Sequence, residues 1–534
     1  MPNRPPLDHL RATRAPWPRL LAGAVALGLA LPASLGPDGP ALGFAPPAVA
    51  EEESSAPLAL GVVIGGERGK AVADVRVNDP YRPGELALCH LQSEATVAAY
   101  QQNVYVAYND TRNCNDGLGM PGVRRSENGF ARSTDGGVTF DDIGPLLSAQ
   151  GEIEHLDGDP TLAVDTRGED SGTVYYSSLS GSSVGSTVAN AYRGVAVGVS
   201  RDGGQTFEWH DASGVDRNRD KPWIAVDNSG GPYDGNVYVT WAHTATGARA
   251  IKLARSEDAG RTWSAPLTLE GGPDWTNGAR PVVGPDGAVH VVWLHSAAVI
   301  TLHYTRSIDG GRTFAPPEAI AQFAGISDTG ECPGYLAVEG KIRVNELPSI
   351  AVDAFGSADP EAPDHNPEWG RVYVAWPAKG TASDDAADAW LTSRDPHSGA
   401  WTAKLRLNRD STTRDQLFPE VVVPGPSRVT ASWVDRREDP QNLAMRQYAA
   451  ESADGGRTFG ADAAVSDVAF PPPFTFPNSD PFIAPCYAGD YNGLFAAENG
   501  SVYAAWSDNR DDLLVNGPAG QRHIPDPNVY VRRW

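Results

Sequence analysis

Ser307-Ile-Asp309-Gly-Gly-Arg-Thr-Phe314 is one of five close copies of an eight-residue pattern, the others lying at 133–140, 200–207, 256–263 and 452–459. A degenerate sixth runs from Ser393 through Asp395 to Trp401. The spacing has a physical reason. Ser and Asp side chains hydrogen-bond local backbone N–H groups in a tight turn, and Gly supplies the positive φ such a turn needs. The closing aromatic then leaves the turn and points into apolar packing.

A second repeat lies between these turns. The segment Pro222-Trp-Ile-Ala-Val-Asp227 is followed by a turn and then by Asn236-Val-Tyr-Val-Thr-Trp241. Equivalent units span 160–178, 281–293, 348–376 and 419–433, with weaker first and last copies at 95–108 and 492–506. Their Val/Tyr/Trp-rich alternation has the period of two that marks strands. Each unit with its following turn makes an inner strand, a second, a third entering the turn and an outer one after it, which is a propeller blade. The seven units predict an all-β, seven-bladed propeller over 73–534, with six or eight blades as the alternatives. The last unit lacks a following turn and ends on Asn528-Val-Tyr-Val-Arg-Arg-Trp534, so its outer strand is expected from Ala73-Asp-Val-Arg-Val-Asn78. That pairing would close the ring and remove an open edge.

Composition excludes several classes. At 21% charged and 41% hydrophobic, the 534-residue chain is neither disordered nor membrane-like. The formal net charge of −24 disfavours a nucleic-acid partner. Arg4, Arg11, Arg14 and Arg19 precede a short apolar run, 20–35, and Ala48-Val-Ala50 resembles a cleavage site. Residues 1–50 are therefore expected to be a signal peptide and 51–72 a linker. The mature chain is expected to be secreted, extracellular or in the cell envelope, monomeric and without a membrane span. An earlier cut near Ala33 and a retained anchor are the alternatives. The four cysteines of an exported chain suit disulfides, Cys89–Cys114 and Cys332–Cys486 being one of three pairings.

The five turns, with strand motifs such as Val502-Tyr-Ala-Ala-Trp506-Ser-Asp508-Asn-Arg510, resemble the Asp-box (BNR-repeat) proteins of the sialidase superfamily over roughly 86–534. The resemblance implies that the boxes are structural turns lying away from any active site. It also implies the superfamily's chemistry: an arginine triad gripping a carboxylate, a tyrosine nucleophile paired with glutamate, and an aspartate acid/base. Two features depart from the family pattern. The first unit reads Ser93-Glu94-Ala95-Thr96 where an Arg-Ile-Pro motif is expected, and six blades are usual there.

A propeller's site lies at the mouth of its channel, lined by residues that begin the inner strands. Aligning the units at their Pro brings together Glu94, Asp159, Lys221, Arg280, Leu347, Phe418 and Tyr491, with Asp490 and Glu346 one position earlier. Tyr491, Asp490, Asp159 and Glu94 are the candidate catalytic groups; Arg280, Lys221, Arg436 and Arg510 are the candidate substrate-binding cations. Acid/base work needs carboxyl groups in different environments, and cations can hold an anionic sugar. An Asp-Arg combination recurs at 110/112, 435/437 and 508/510, first as a repeated structural bridge; His243 and His295 occupy equivalent positions. No metal site or cofactor is expected, although acidic turns such as 227–234 could hold a structural Ca²⁺ through oxygen ligands. The expected function is a glycoside hydrolase of sialidase-like type acting on an extracellular glycan. A non-catalytic carbohydrate- or protein-binding propeller is the alternative, and a polysaccharide lyase the third.

Overall fold

The computed structural model describes residues 73–79, 91–112, 126–146, 153, 155–182, 192–214, 218–472, 486–517 and 520–534. The expected signal peptide and linker, up to residue 72, and Cys89 and Cys114 fall outside them. Seven antiparallel meanders follow one another around a central channel, so the ring has seven blades and not six. Blade 1 runs Gln92–Tyr100, Asn103–Asp110, Asn128–Ser133 and Asp141–Pro145. Blade 3 runs Arg219–Val226, Val237–His243, Arg249–Ser256 and Leu267–Gly272. The inner strands of blades 2, 4, 5 and 6 are Thr161–Val164, Trp275–Val283, Ser349–Val352 and Gln416–Gly425. No helix among the described residues is long and apolar enough to cross a membrane.

Blade 7 takes Gly493–Ala496, Val502–Gly517 and Gly520–Arg533 from the C-terminal region and Val75–Arg76 as its outer strand. Val75 pairs with Val531 and Arg76 with Tyr530, and the Val77 amide donates to the Val529 carbonyl at 2.9 Å. The closure expected from the sequence is the one that forms.

The repeated turns each knot a third strand to its outer strand. In the 307–314 copy, Ser307 Oγ donates to Asp309 Oδ1 at 2.8 Å, and the same oxygen accepts the Arg312 and Thr313 amides at 3.0 and 2.9 Å. The Thr313 hydroxyl donates to Asp309 Oδ2 at 2.6 Å. Partial burial pushes the Asp309 carboxyl up, but these hydrogen bonds outweigh it and draw it down to about 2.

An apolar cluster fills every junction between neighbouring blades, seven in all. Trp241, Trp293, Trp376, Trp433 and Trp506, on the second strands of blades 3 to 7, are fully buried in them. Tyr108 and Ser178 stand at the matching register in blades 1 and 2. The cluster between blades 7 and 1 includes Val77, Val97, Tyr503 and Val531, so the outer strand helps fill the closing junction. Val77→Pro should therefore lower the melting temperature by a few degrees, since it removes a ladder donor from a buried position. An unchanged melting temperature would mean that closure adds nothing to stability.

Candidate functional site at the channel mouth

The inner strands carry a shared irregularity. In blades 1, 3, 4 and 6 the register shifts between Ser93 and Thr96, Asp220 and Trp223, Asn277 and Arg280, and Leu417 and Glu420. The first residue of each bulge has a left-handed φ: 54° at Glu94, 50° at Lys221, 65° at Gly278 and 51° at Phe418; Asp159 in blade 2 has 56°. Such a φ costs a non-glycine residue about 1 kcal/mol or more, and a bulge re-aims its side chain. Here the bulges turn Glu94, Asp159 and Lys221 toward one point.

Lys221 Nζ lies 2.6 Å from Glu94 Oε1, 3.2 Å from Asp159 Oδ1 and 2.7 Å from Asp490 Oδ2. Asp490 is also paired with Arg343, and its backbone carbonyl and Oδ1 accept from Asn345 Nδ2 at 2.9 and 3.2 Å. Arg343 belongs to a two-stranded hairpin, Ala337–Val338 and Ile342–Arg343, inserted between blades 4 and 5. The Cys332–Cys486 disulfide ties that insertion to the segment entering blade 7. The next residue, Tyr487, donates its hydroxyl to Glu94 Oε1. The Arg343 guanidinium lies over both Tyr335 and Tyr487, at 5.0 and 4.8 Å from their ring centres.

Burial, and then the Asp159 charge, push the Glu94 carboxyl up to about 8 against the opposing pull of Lys221. Burial acts the same way on Asp159 and Asp490, but cations reverse it. Lys221 and a Glu94 hydrogen bond hold Asp159 below its ordinary value, and Arg343 and Lys221 hold Asp490 far below. Burial would lower Lys221, but the three carboxyl groups keep it well above its ordinary value. Glu94 therefore carries a proton at neutral pH. Oε1 accepts from Lys221, Tyr487 and the Asp490 amide, and Oε2 from Asn109 Nδ2 alone at 3.2 Å. The less crowded Oε2 is therefore the oxygen placed to carry the proton, with the nearby Asp159 charge favouring it. Lys221 and Arg343 then face the Asp159 and Asp490 carboxylates, with the Asp220 charge also acting on both cations. Within the Lys221 cluster, Asp159 is the most open carboxyl group, its side chain 12% exposed against none for Glu94.

Four of the eight candidates thus converge: Glu94, Asp159, Lys221 and Asp490. Tyr491 lies beside them without touching a carboxylate. Its hydroxyl donates to the Pro160 carbonyl at 3.0 Å, and its ring packs edge-on against Trp223. The tyrosine on the glutamate is Tyr487, which the unit alignment missed because it precedes the repeat. Its one sequence signal is the adjacent Cys486.

The three arginines do not meet. Arg280 makes a bidentate pair with Glu420 at 2.6 and 2.8 Å, its guanidinium 3.7 Å from the Trp223 ring centre. Arg436 is buried against Asp415 and the Glu339 carbonyl, and Arg510 bridges Asp508 and Asp74. The Asp-Arg bridge recurs as read, at 2.6 Å in each of the 110/112, 435/437 and 508/510 pairs. Arg280 also stands two residues further along its strand than the alignment placed it. Gly278 takes the bulge in blade 4, and Arg280 matches Thr96, Trp223 and Glu420. These residues line a channel cavity of about 260 Å³ together with Ser349, Asn492 and Gly493. Gly493 is required there: a Cβ would lie 2.9 Å from the Thr96 Cα.

No protein-family model matches the sequence, and no curated protein matches it. Among solved structures, the chain is similar to a Penicillium chrysogenum alpha-L-arabinanase complexed with arabinobiose, at 14% identity over 68% of this chain and 94% of that one, TM-score 0.41. It is similar to the polysaccharide lyase Uly1 at 8% identity over 87% and 97%, TM-score 0.45. It is also similar to a Hadza microbial sialidase at 15% identity over 71% of each chain, TM-score 0.38. The site itself, not these likenesses, carries the functional reading.

Lys221 is the hub of the mouth, and its removal leaves carboxyl groups facing one another. Lys221→Met should destabilise the chain by about 3–5 kcal/mol near pH 8. The deficit should shrink toward pH 5, where the orphaned carboxyl groups take up protons. Urea midpoints at the two pH values measure it, and equal deficits would contradict the assigned charges.

Proposed function

We propose that the protein is a secreted glycoside hydrolase of sialidase-like type that works on an extracellular glycan at the channel mouth. The observation that carries this reading is the contact of the Tyr487 hydroxyl with the buried Glu94 carboxyl, which Lys221 holds beside Asp159 and Asp490. Tyr487 is the nucleophile. As its oxygen attacks the anomeric carbon, its proton passes to Glu94 Oε1, the Oε2 proton passes to Asp159, and Asp159 protonates the leaving oxygen. Asp159 suits that last role as the most open carboxyl group of the cluster. Water then attacks the glycosyl-tyrosine, and the protons return by the same path. The dispersal of Arg280, Arg436 and Arg510 weighs against a three-arginine grip, so the preferred sugar is one that needs no such clamp on a carboxylate. The apolar run at 20–35 and the Ala48-Val-Ala50 site support export.

One observation favours the non-catalytic alternative: every charge at the mouth is paired, and the Glu94 and Asp490 side chains are 0% and 3% exposed. Purified chain should be assayed on a panel of fluorogenic glycosides, a sialoside included, beside glycan-array binding. The hydrolase reading predicts turnover of at least one glycoside, reduced on the order of 10³-fold in Tyr487→Phe. Array binding with no product from any bound glycan would favour the binding module.

The relay works only while the Glu94–Asp159 pair holds its proton. Hence kcat/KM should fall as pH rises through about 8, the value to which Glu94 is raised. A rate that climbs through that range would overturn the relay.

A further inference from the structure

We propose that Glu270, His295 and His303 form a binding site for a zinc-type divalent ion at the junction of blades 3 and 4. Glu270 comes from the outer strand of blade 3, Leu267–Gly272, and the two histidines from neighbouring strands of blade 4, Val289–Ser296 and Ile300–Ser307. One donor atom from each residue lies within 4.8 Å of the other two, and no other trio of His, Cys, Asp or Glu converges so closely among the described residues.

The spacing fits a tetrahedral ion. Ligands at ordinary zinc distances stand about 3.3 Å apart along a tetrahedron's edge. Glu270 Oε1 lies 3.3 Å from His295 Nδ1 and 3.0 Å from His303 Nδ1, the second a hydrogen bond that a bound ion would replace. His295 Nδ1 is buried and makes no hydrogen bond among the described residues, its 3.3 Å approach to Glu270 Oε1 included, so as an unprotonated nitrogen it is available to an ion.

The surroundings do what outer partners of a metal site do. Trp293 Nε1 donates to Glu270 Oε2 at 2.5 Å, which fixes the carboxylate against the histidines, His303 Nδ1 lying 3.0 Å from Oε1 and 3.2 Å from Oε2. Asp274 Oδ2 lies 3.8 Å from His295 Nε2, the nitrogen that would carry the proton once Nδ1 is a ligand. The two imidazoles lie nearly parallel with centres 4.3 Å apart, so one ring must turn about its Cβ–Cγ bond to bring both Nδ1 lone pairs onto a single ion. The three side chains are 17–18% exposed, so an ion can enter and water can complete its coordination. Two nitrogens and one oxygen select zinc and its transition-metal neighbours over the oxygen-loving Ca²⁺. A bound ion would clasp two blades together.

The test titrates the full secreted chain, stripped with a chelator and carrying no histidine tag, with ZnCl₂ against a chromophoric zinc indicator. The expected result is one equivalent bound, with a melting temperature that rises on addition of zinc. His295→Ala/His303→Ala should weaken binding at least about 100-fold and abolish the zinc-dependent rise in melting temperature. Should that double variant fail near-UV circular dichroism as a folding check, His295→Gln with Glu270→Gln takes its place, with the same loss expected. No zinc uptake by the parent chain, or unchanged stoichiometry in a folded variant, would overturn the proposal.

Discussion

Lys221 meets carboxyl groups from the inner strands of blades 1 and 2 and from the segment entering blade 7. A propeller blade touches only its two neighbours through its apolar faces, so contacts across the channel must come from side chains at its mouth. One layer below, Arg280 of blade 4 reaches Glu420 of blade 6 and stacks on Trp223 of blade 3. Placing so many charges out of water is expensive and is sustained only by mutual pairing. A proton on Glu94 removes one negative charge from the cluster, leaving Lys221 and Arg343 among Asp159, Asp490 and the nearby Asp220. The same condition that lets the ring close at its centre leaves a buried acid beside a tyrosine hydroxyl.

Strain and anchoring are spent at that point. Three of the converging residues sit at left-handed φ values, but so does Phe418, which has no charge. The bulge is therefore a general device of these inner strands, and the residue on it decides what the device presents. Tyr487 and Arg343 are different in kind. They arrive on segments outside the blade repeat, joined by the Cys332–Cys486 disulfide and by the Arg343 amide donating to the Cys486 carbonyl at 2.8 Å. A regular scaffold supplies the carboxyl groups, and irregular segments complete the site around them.

This division explains what the sequence could reveal. Blade number and strand order were legible because local constraints recur in most blades, such as the Asp309 turn and the buried Trp293, and the closing strand because the last unit lacks an outer one. Glu94, Asp159 and Lys221 were legible because the bulge falls at a fixed place before the second strand. Arg280 was misplaced by two residues because a proline was taken as the marker, whereas the glycine at 278 takes the bulge. Tyr487 was invisible, and His295 was noted without its partners Glu270 and His303, for another reason: these partners are set by packing between elements, which no single repeat records. Tyr491 was singled out by its place in the last blade, yet it serves as a packing wall.

The central claim is that one carboxyl group at the channel mouth is protonated at neutral pH and that it belongs to Glu94. Infrared difference spectroscopy of the parent chain against Glu94→Gln, recorded from pH 6 to pH 9, tests it most directly. The structure predicts a protonated-carboxyl band in the difference spectrum at pH 7 that disappears as pH rises through about 8. A difference spectrum with no such band at pH 7 would mean that Glu94 is ionised. The charge assignment of the mouth, and the chemistry built on it, would then be wrong.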